Sequence, residues 1–219
     1  MKAIQAKYEI ITNLDGDKIL KDIELVARTC YKSEDKITDD SAKRMVANLI
    51  KHGHEAMIEH SQMSVRFYCD RGVSHEMVRH REASFGQEST RYCNYSKDKF
   101  DNSVTYIDLS TGMELDTKVK ELPIDAKQRI LNEWIEACED AERHYFNMLK
   151  FGATPQIARS VLNNSTKTEI VITANMREWR HIFKLRADAP AHPQMRELMI
   201  PLLHELQSKV PVLFDDIKL

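Results

Sequence analysis

The chain has 219 residues, of which 42% are hydrophobic and 30% charged, and its formal net charge is −2. This balance is typical of a globular protein and excludes binding to polyanions by overall positive charge, so any phosphate must be held by a local group of cations. No run of about 20 apolar residues exists and the N-terminus has no signal-peptide pattern, so we expect no membrane span. The four cysteines form no CxxC pair, which favours free thiols in a reducing compartment and a cytoplasmic protein.

Hydrophobic spacing predicts strands and helices in an order without regular alternation. From the N-terminus, we expect a strand over 3–12, helices over 18–27 and 40–51, a strand over 64–68 and a helix over 72–81. The polar segment 82–99 has few apolar anchors and should be a long functional loop. Helices over 125–150 and 155–162, a buried strand over 169–173, and helices over 176–185 and 194–209 follow. The sequence predicts an α+β fold, with one central sheet and several flanking helices, in a single domain over 1–219.

The densest group of functional side chains lies between Arg79 and Tyr92. It contains three arginines, one histidine and two serines, with a glycine in the middle. Guanidinium groups match phosphate oxygens two at a time, and serine hydroxyls can complete such a site. The segment therefore indicates an anion site. The alternative is a solvated surface turn in which the arginines pair with Glu82 and Glu88.

Two further clusters need an explanation. The first, over 52–60, has three histidines and two glutamates, but its spacing does not fit the helical zinc motif with two histidines four residues apart. We therefore favour polar contacts to an organic cofactor over a metal. The second cluster contains Arg159, Asn175, Arg177, Arg180, His181 and Arg186, and its alternative is an exposed basic helix. The sequence has no glycine-rich nucleotide-binding loop, so any nucleotide should be held by arginines. It also lacks the GxSxG motif, so nucleophilic catalysis by a serine has little support.

The motifs resemble those of one known family. Arg79-His80-Arg81, followed after seven residues by Ser89, resembles the RHR(x7)S signature of flavin-dependent thymidylate synthases, and Ser84, Arg91 and Tyr92 extend the match. The segment 54–60 resembles the family's HExxxEH element, 175–177 its NxR element and 185–188 its LRAD element. The resemblance covers about residues 27–196 in the family's order.

The resemblance implies the methylation of dUMP, a pyrimidine nucleotide monophosphate, to dTMP. The carbon donor would be 5,10-methylenetetrahydrofolate, the redox cofactor FAD and the reductant NADPH. It also implies a homotetramer with active sites at subunit interfaces. No metal and no enzyme cysteine are needed in this reaction.

The resemblance also implies residue roles. Arg186 would be catalytic, and His54 would lie at the edge where folate and nicotinamide approach. The nucleotide would be bound by Glu76, Arg79, Gln87, Glu88, Ser89, Arg91, Arg159 and Arg186. The FAD would be bound by Glu59, Arg79, His80, Arg81, Glu82, Gln87, Asn175, Arg177 and His181.

The chain departs from the family pattern near the expected ligands. Gly86-Gln87 replaces the usual Asn-Glu, Glu76 stands where a glutamine is common, and His181 stands where an asparagine is usual. Glu88 either substitutes for the missing carboxylate through a one-residue loop shift or does not. Alternatives are therefore a paralogue that uses another pyrimidine monophosphate or makes a hydroxymethyl product, and a non-catalytic nucleotide- or nucleic-acid-binding module. The net charge and the lack of an aromatic platform argue against nucleic acid.

Overall fold

The computed structural model describes residues 1–219 and confirms the α+β class. The strands are β1 Lys2–Ile4, β2 Lys7–Ile10, β3 Gln62–Asp70, β4 Ala83–Gln87, β5 Thr105–Ile107 and β6 Lys167–Asn175. The helices are α1 Gly16–Thr29, α2 Ser41–Lys51, α3 Arg71–Met77, α4 Ser110–Leu115, α5 Ile124–Lys150, α6 Pro155–Ala158, α7 Met176–Arg186, α8 Pro193–Lys209 and α9 Pro211–Phe214. Short 3₁₀ helices include Glu55–His60 and Arg159–Val161.

The strands form two sheets. The larger has four strands in the order β2-β3-β6-β4, and β1 pairs in parallel with β5, with Lys2 opposite Thr105. The prediction of one strand over 3–12 was therefore wrong: β1 and β2 are separate strands in different sheets. Both parts of the segment are strands, as the alternation predicts. The alternation does not depend on which strand is the partner, so it cannot show that the partner changes between Ile4 and Lys7.

The expected loop over 82–99 contains a strand. Ala83–Gln87 forms β4, at the edge of the four-stranded sheet next to β6. Its side chains alternate between half-buried and exposed, so it carries no strongly apolar face that would identify a strand. The loop prediction was wrong for this part of the segment.

The chain divides into two compact units, and its single-domain organisation stays a prediction. The first unit comprises Met1–Lys7, Phe67–Arg79 and Gly86–Ile170, and the second comprises Tyr8–Arg66, His80–Phe85 and Val171–Leu219. In the first, α5 buries Cys138 and Tyr145 against a cluster that includes Tyr95, Val104 and Tyr106. In the second, apolar side chains of α7, α8 and α9 form the core, which includes Trp179, Phe183, Leu202 and Phe214. None of the helices combines the length and the apolar run that crossing a bilayer requires.

Candidate functional site

Helix α7 presents one polar face in the second unit. Asn175, the last residue of β6, caps the helix by accepting a hydrogen bond from the backbone N–H of Glu178 at 2.8 Å. Trp179 is fully buried, donates its indole N–H to the carbonyl of Met63 at 3.0 Å and stacks on Phe183. Because this apolar face is fixed, the exposed side chains of α7 keep defined positions on the other side of the helix.

That polar face lines a cleft of about 460 Å³ in the second unit. Five of the lining residues are ones that the sequence predicted for FAD: Glu59, Glu82, Asn175, Arg177 and His181. Arg180, which the sequence analysis grouped with Arg177 and His181, also lines the cleft, and three lining residues were not predicted: Glu55, Glu178 and Lys184. Helical spacing could have indicated Lys184, which follows His181 by three positions, and Glu55 is part of the HExxxEH segment.

Two arginines of the cleft have different environments. Arg177 is exposed, and its Nη1 lies 2.5 Å from Oε1 of Glu59, which raises the pKa of Arg177. Arg180 is 1% exposed and pairs with Asp216 at 2.6 Å and with Glu55 at 3.4 Å. Burial alone would lower the pKa of Arg180, but the two carboxylates outweigh burial and raise it. Arg180 is therefore held by the fold, whereas Arg177 is accessible to a ligand.

His80 contacts both ends of α7, Glu178 in its first turn and Arg186 at its last position. The His80 ring is buried, its Nδ1 lies 3.0 Å from Oε1 of Glu178, and its Nε2 lies 3.1 Å from Nε of Arg186. The ring of His181 meets it edge-on, with centroids 5.7 Å apart. Burial lowers the pKa of His80, the bond to Glu178 opposes this shift, and the charge of Arg186 adds to it. The environment thus favours a neutral imidazole.

The same cluster resembles a metal site in composition. Ligand atoms of His80, Glu178 and His181 lie within 4.8 Å of one another. Both ring nitrogens of His80 already have hydrogen-bond partners, and one of these is the cationic Arg186. A bound cation would have to displace these contacts and sit beside a guanidinium group. The absence of a metal therefore stays our prediction.

Two residues expected at the nucleotide phosphate, Ser89 and Arg91, lie in the loop after β4, and a third, Arg159, contacts that loop. Arg159 donates from Nη1 to Oγ1 of the buried Thr90 at 3.0 Å, although the two are 69 positions apart. Ser89 accepts a hydrogen bond on Oγ from the backbone N–H of Arg91 at 3.3 Å. The guanidinium groups of Arg91 and Arg159 are exposed. Thr90 was not predicted; only its position between Ser89 and Arg91 could have indicated it.

Gln87 and Glu88 lie side by side in the chain but have different partners. Gln87 donates from Nε2 to the hydroxyls of Ser74 at 2.9 Å and Thr168 at 3.2 Å. The carboxylate of Glu88 lies 3.0 Å from Nζ of Lys167 and accepts from the hydroxyl of Tyr95. Glu88 is thus engaged by Lys167 and Tyr95, and whether it compensates for the missing carboxylate stays an open alternative.

The remaining predicted residues are accessible. Arg79 and Arg81 are exposed on either side of the buried His80, and Glu76 is half-buried near the end of α3. His54 is exposed immediately before the 3₁₀ helix Glu55–His60 and does not line the cleft. The ligand roles of all these residues stay predictions.

Comparison with known proteins identifies the family. The sequence model of a family described as thymidylate synthase complementing protein matches residues 12–212. Flavin-dependent thymidylate synthases from Corynebacterium aurimucosum, Mycobacterium marinum and Corynebacterium glutamicum are 34%, 32% and 29% identical to this chain. The alignments cover 89%, 94% and 98% of the chain and 78%, 81% and 85% of those proteins, respectively. The chain, with its RHR segment and its arginine-bearing loop and helix, therefore belongs to the flavin-dependent thymidylate synthase family and is an enzyme of this type.

Proposed function

We propose that this protein methylates dUMP to dTMP with FAD as its flavin, 5,10-methylenetetrahydrofolate as carbon donor and NADPH as reductant. The observation that carries the proposal is the hydrogen bond between Arg186 and His80 at 3.1 Å. It joins a residue expected at the pyrimidine to a residue expected at the flavin, across 106 positions of sequence. A reaction between flavin and pyrimidine requires both groups in one place.

The residues of the cleft fit a ligand with phosphates and a hydrogen-bonding ring. Arg177 and Lys184 are exposed cations that can bind phosphate oxygens, and His181 offers an exposed ring edge. Glu59 pairs with Arg177, so a phosphate that binds Arg177 competes with this carboxylate. When bound, reduced flavin supplies hydride to the pyrimidine ring.

The protein's own groups have separate tasks in this proposal. Ser89, Arg91 and Arg159 hold the nucleotide phosphate, and Arg186 stabilises negative charge on the activated ring. Nucleophilic attack by an enzyme cysteine has no support. Burial raises the pKa of the Cys93 thiol, and Glu88 raises it further, so its reactive thiolate is disfavoured.

The decisive experiment starts from the purified protein. We expect a flavin absorption spectrum, FAD released on denaturation, and a spectral change on titration with dUMP that is weaker with dCMP or UMP. Turnover with methylenetetrahydrofolate and NADPH should give dTMP. A protein that takes up no FAD would refute the proposal. A hydroxymethyl product or a preference for dCMP would instead identify a paralogue that makes another product or uses another pyrimidine monophosphate. Retarded single-stranded DNA without turnover would favour a binding module.

Two arginine variants test the division of roles. We expect Arg186→Ala to abolish turnover and to leave the flavin spectrum nearly intact, because Arg186 acts on the nucleotide. Arg177→Ala should instead weaken FAD retention. Reversed phenotypes would show that the two arginines are wrongly assigned. Sedimentation analysis tests the proposed homotetramer.

A further inference from the structure

Glu178 is an acidic residue of the cleft that the sequence motifs do not assign. Its side chain is 12% exposed, and its carboxylate contacts the ring of His80, whose side chain is 5% exposed. We propose that Glu178 is a positioning residue: it fixes His80 in the tautomer that accepts a hydrogen bond from Arg186, and so orients that arginine. The inference rests on the proposed function for its catalytic consequence, but the hydrogen-bond chain can be tested alone.

The direction of each hydrogen bond follows from donor chemistry. A guanidinium group has only donors, so Nε of Arg186 must donate to Nε2 of His80. The proton of the neutral ring is then on Nδ1, where the acceptor is Oε1 of Glu178 at 3.0 Å. A doubly protonated ring would instead place an N–H against the N–H of Arg186. The chain of bonds is therefore Arg186 to His80 to Glu178, with each group donating to the next.

Glu178 is well placed to enforce this order. Its backbone N–H is bound by the side chain of Asn175, and the next residue, Trp179, is fully buried. The carboxylate therefore extends from a helix turn that is fixed on both sides. A carboxylate with little access to water is a strong acceptor for Nδ1–H, and it disfavours the other tautomer, which would place a lone pair against it.

Loss of this acceptor should release His80 and then Arg186. In Glu178→Ala, the ring can carry its proton on Nε2, facing the guanidinium of Arg186, which must then move. Because misplacement of a reacting group by about 1 Å can cost on the order of 100-fold in rate, we expect kcat to fall by about 10- to 100-fold. Glu178→Gln keeps a carbonyl oxygen that can accept from Nδ1–H, so this variant should retain most of the activity.

The test combines tautomer and rate measurements on the full-length protein with its flavin. ¹⁵N-histidine labelling, with the His80 signals assigned from their loss in His80→Gln, should show the proton on Nδ1 in the wild type and in Glu178→Gln. In Glu178→Ala it should shift to Nε2, and kcat should fall more than the KM for dUMP changes. Glu136→Ala, an exposed position on α5, is the matched control and should change neither signal nor rate.

The outcomes separate this inference from the proposed function. A proton on Nε2 in the wild type, or an unchanged tautomer and rate in Glu178→Ala, would overturn the role of Glu178. If Glu178→Ala does not fold, the tautomer of the wild type decides: a proton on Nε2 there would overturn the inference. A wild type without thymidylate synthesis would refute the proposed function, while the proton on Nδ1 would still establish the hydrogen-bond chain.

Discussion

Lys167 pairs with Glu88, which follows β4 and immediately precedes Ser89 of the proposed phosphate site, and we expect its removal to destabilise the protein. Its Nζ lies 3.0 Å from Glu88 and 2.6 Å from Glu169, and the side chains of Lys167 and Glu88 are only 16% and 12% exposed. Burial would lower the pKa of Lys167, but the two carboxylates raise it, so the ammonium stays charged. Lys167→Met keeps most of the aliphatic chain and leaves Glu88 in a largely buried place without its cation.

The expected loss lies between two known limits. Removal of one partner costs about 3–5 kcal/mol for a buried ion pair and about 0–1 kcal/mol for an exposed one. The pair in this protein is partly buried, so we expect a loss of about 2 kcal/mol in the free energy of unfolding. For a chain of this size, that corresponds to a Tm lower by about 4–8 °C. Because Glu88 precedes Ser89, the KM for dUMP should rise as well.

Thermal unfolding followed by circular dichroism measures this loss. Lys2→Met is the matched control, because Lys2 pairs with Asp101 at 2.7 Å but both side chains are more than half exposed. We expect no measurable Tm change for the control, and partial recovery in Lys167→Arg. Equal Tm values for Lys167→Met and the wild type would refute the reasoning that burial gives this ion pair its strength.

Four further predictions follow from buried or half-buried polar contacts. Arg180→Met should lower the free energy of unfolding, measured with urea, by about 3 kcal/mol. We expect the lower limit for a buried ion pair because Arg180 is buried but Asp216 is 43% exposed. The bond to Arg180 lowers the pKa of Asp216, so its stabilisation is present above the usual value of 3.8 and is lost below it; the stability difference from Asp216→Asn should shrink in acid. Burial lowers the pKa of His80 below 6.5, so the unfolded chain binds the proton at a higher pH than the folded protein does. The free energy of unfolding should therefore fall as the pH drops below 6.5, and this fall should be smaller in His80→Gln. Gln87→Glu should change kcat/KM for dUMP with little change in Tm, whereas Glu88→Gln should lower Tm by weakening the pair with Lys167.

Sequence patterns revealed the elements with one strong apolar face. The 26-residue pattern over 125–150 predicted α5 to within one residue, and the run over 169–173 located the middle of β6. They missed β4 because an edge strand with alternating polar side chains has no apolar signature. β4 forms because its backbone pairs with β6, which lies about 80 positions later in the sequence, and no local pattern can show this pairing.

In the candidate site, too, local sequence patterns do not show which single residues are buried or which tertiary contacts they make. The motifs selected Arg177 and Arg186, yet nothing local distinguishes them from Arg180, which lies on the same short helix. Residues three apart share a helix face, so tertiary contacts make the difference: Arg180 is buried against Asp216, whereas Arg177 is exposed beside Glu59. Glu178 was missed for a related reason: an acidic residue in the first turn of a helix is common, and only the tertiary contact with His80 gives it a specific task.

The partners of Gln87 and Glu88 bear on an alternative that the sequence left open. A one-residue shift that moved Glu88 into the place of Gln87 would break the ion pair with Lys167 and the hydrogen bond from the backbone N–H of Glu88 to the carbonyl of Glu169 at 2.8 Å. The ion pair joins charged groups, so its loss would cost more than the two neutral hydroxyl contacts of Gln87 could repay. The site therefore has an amide at position 87, which can both donate and accept, where the resemblance implies a carboxylate. For that reason, the choice between dUMP and another pyrimidine monophosphate is best tested at Gln87.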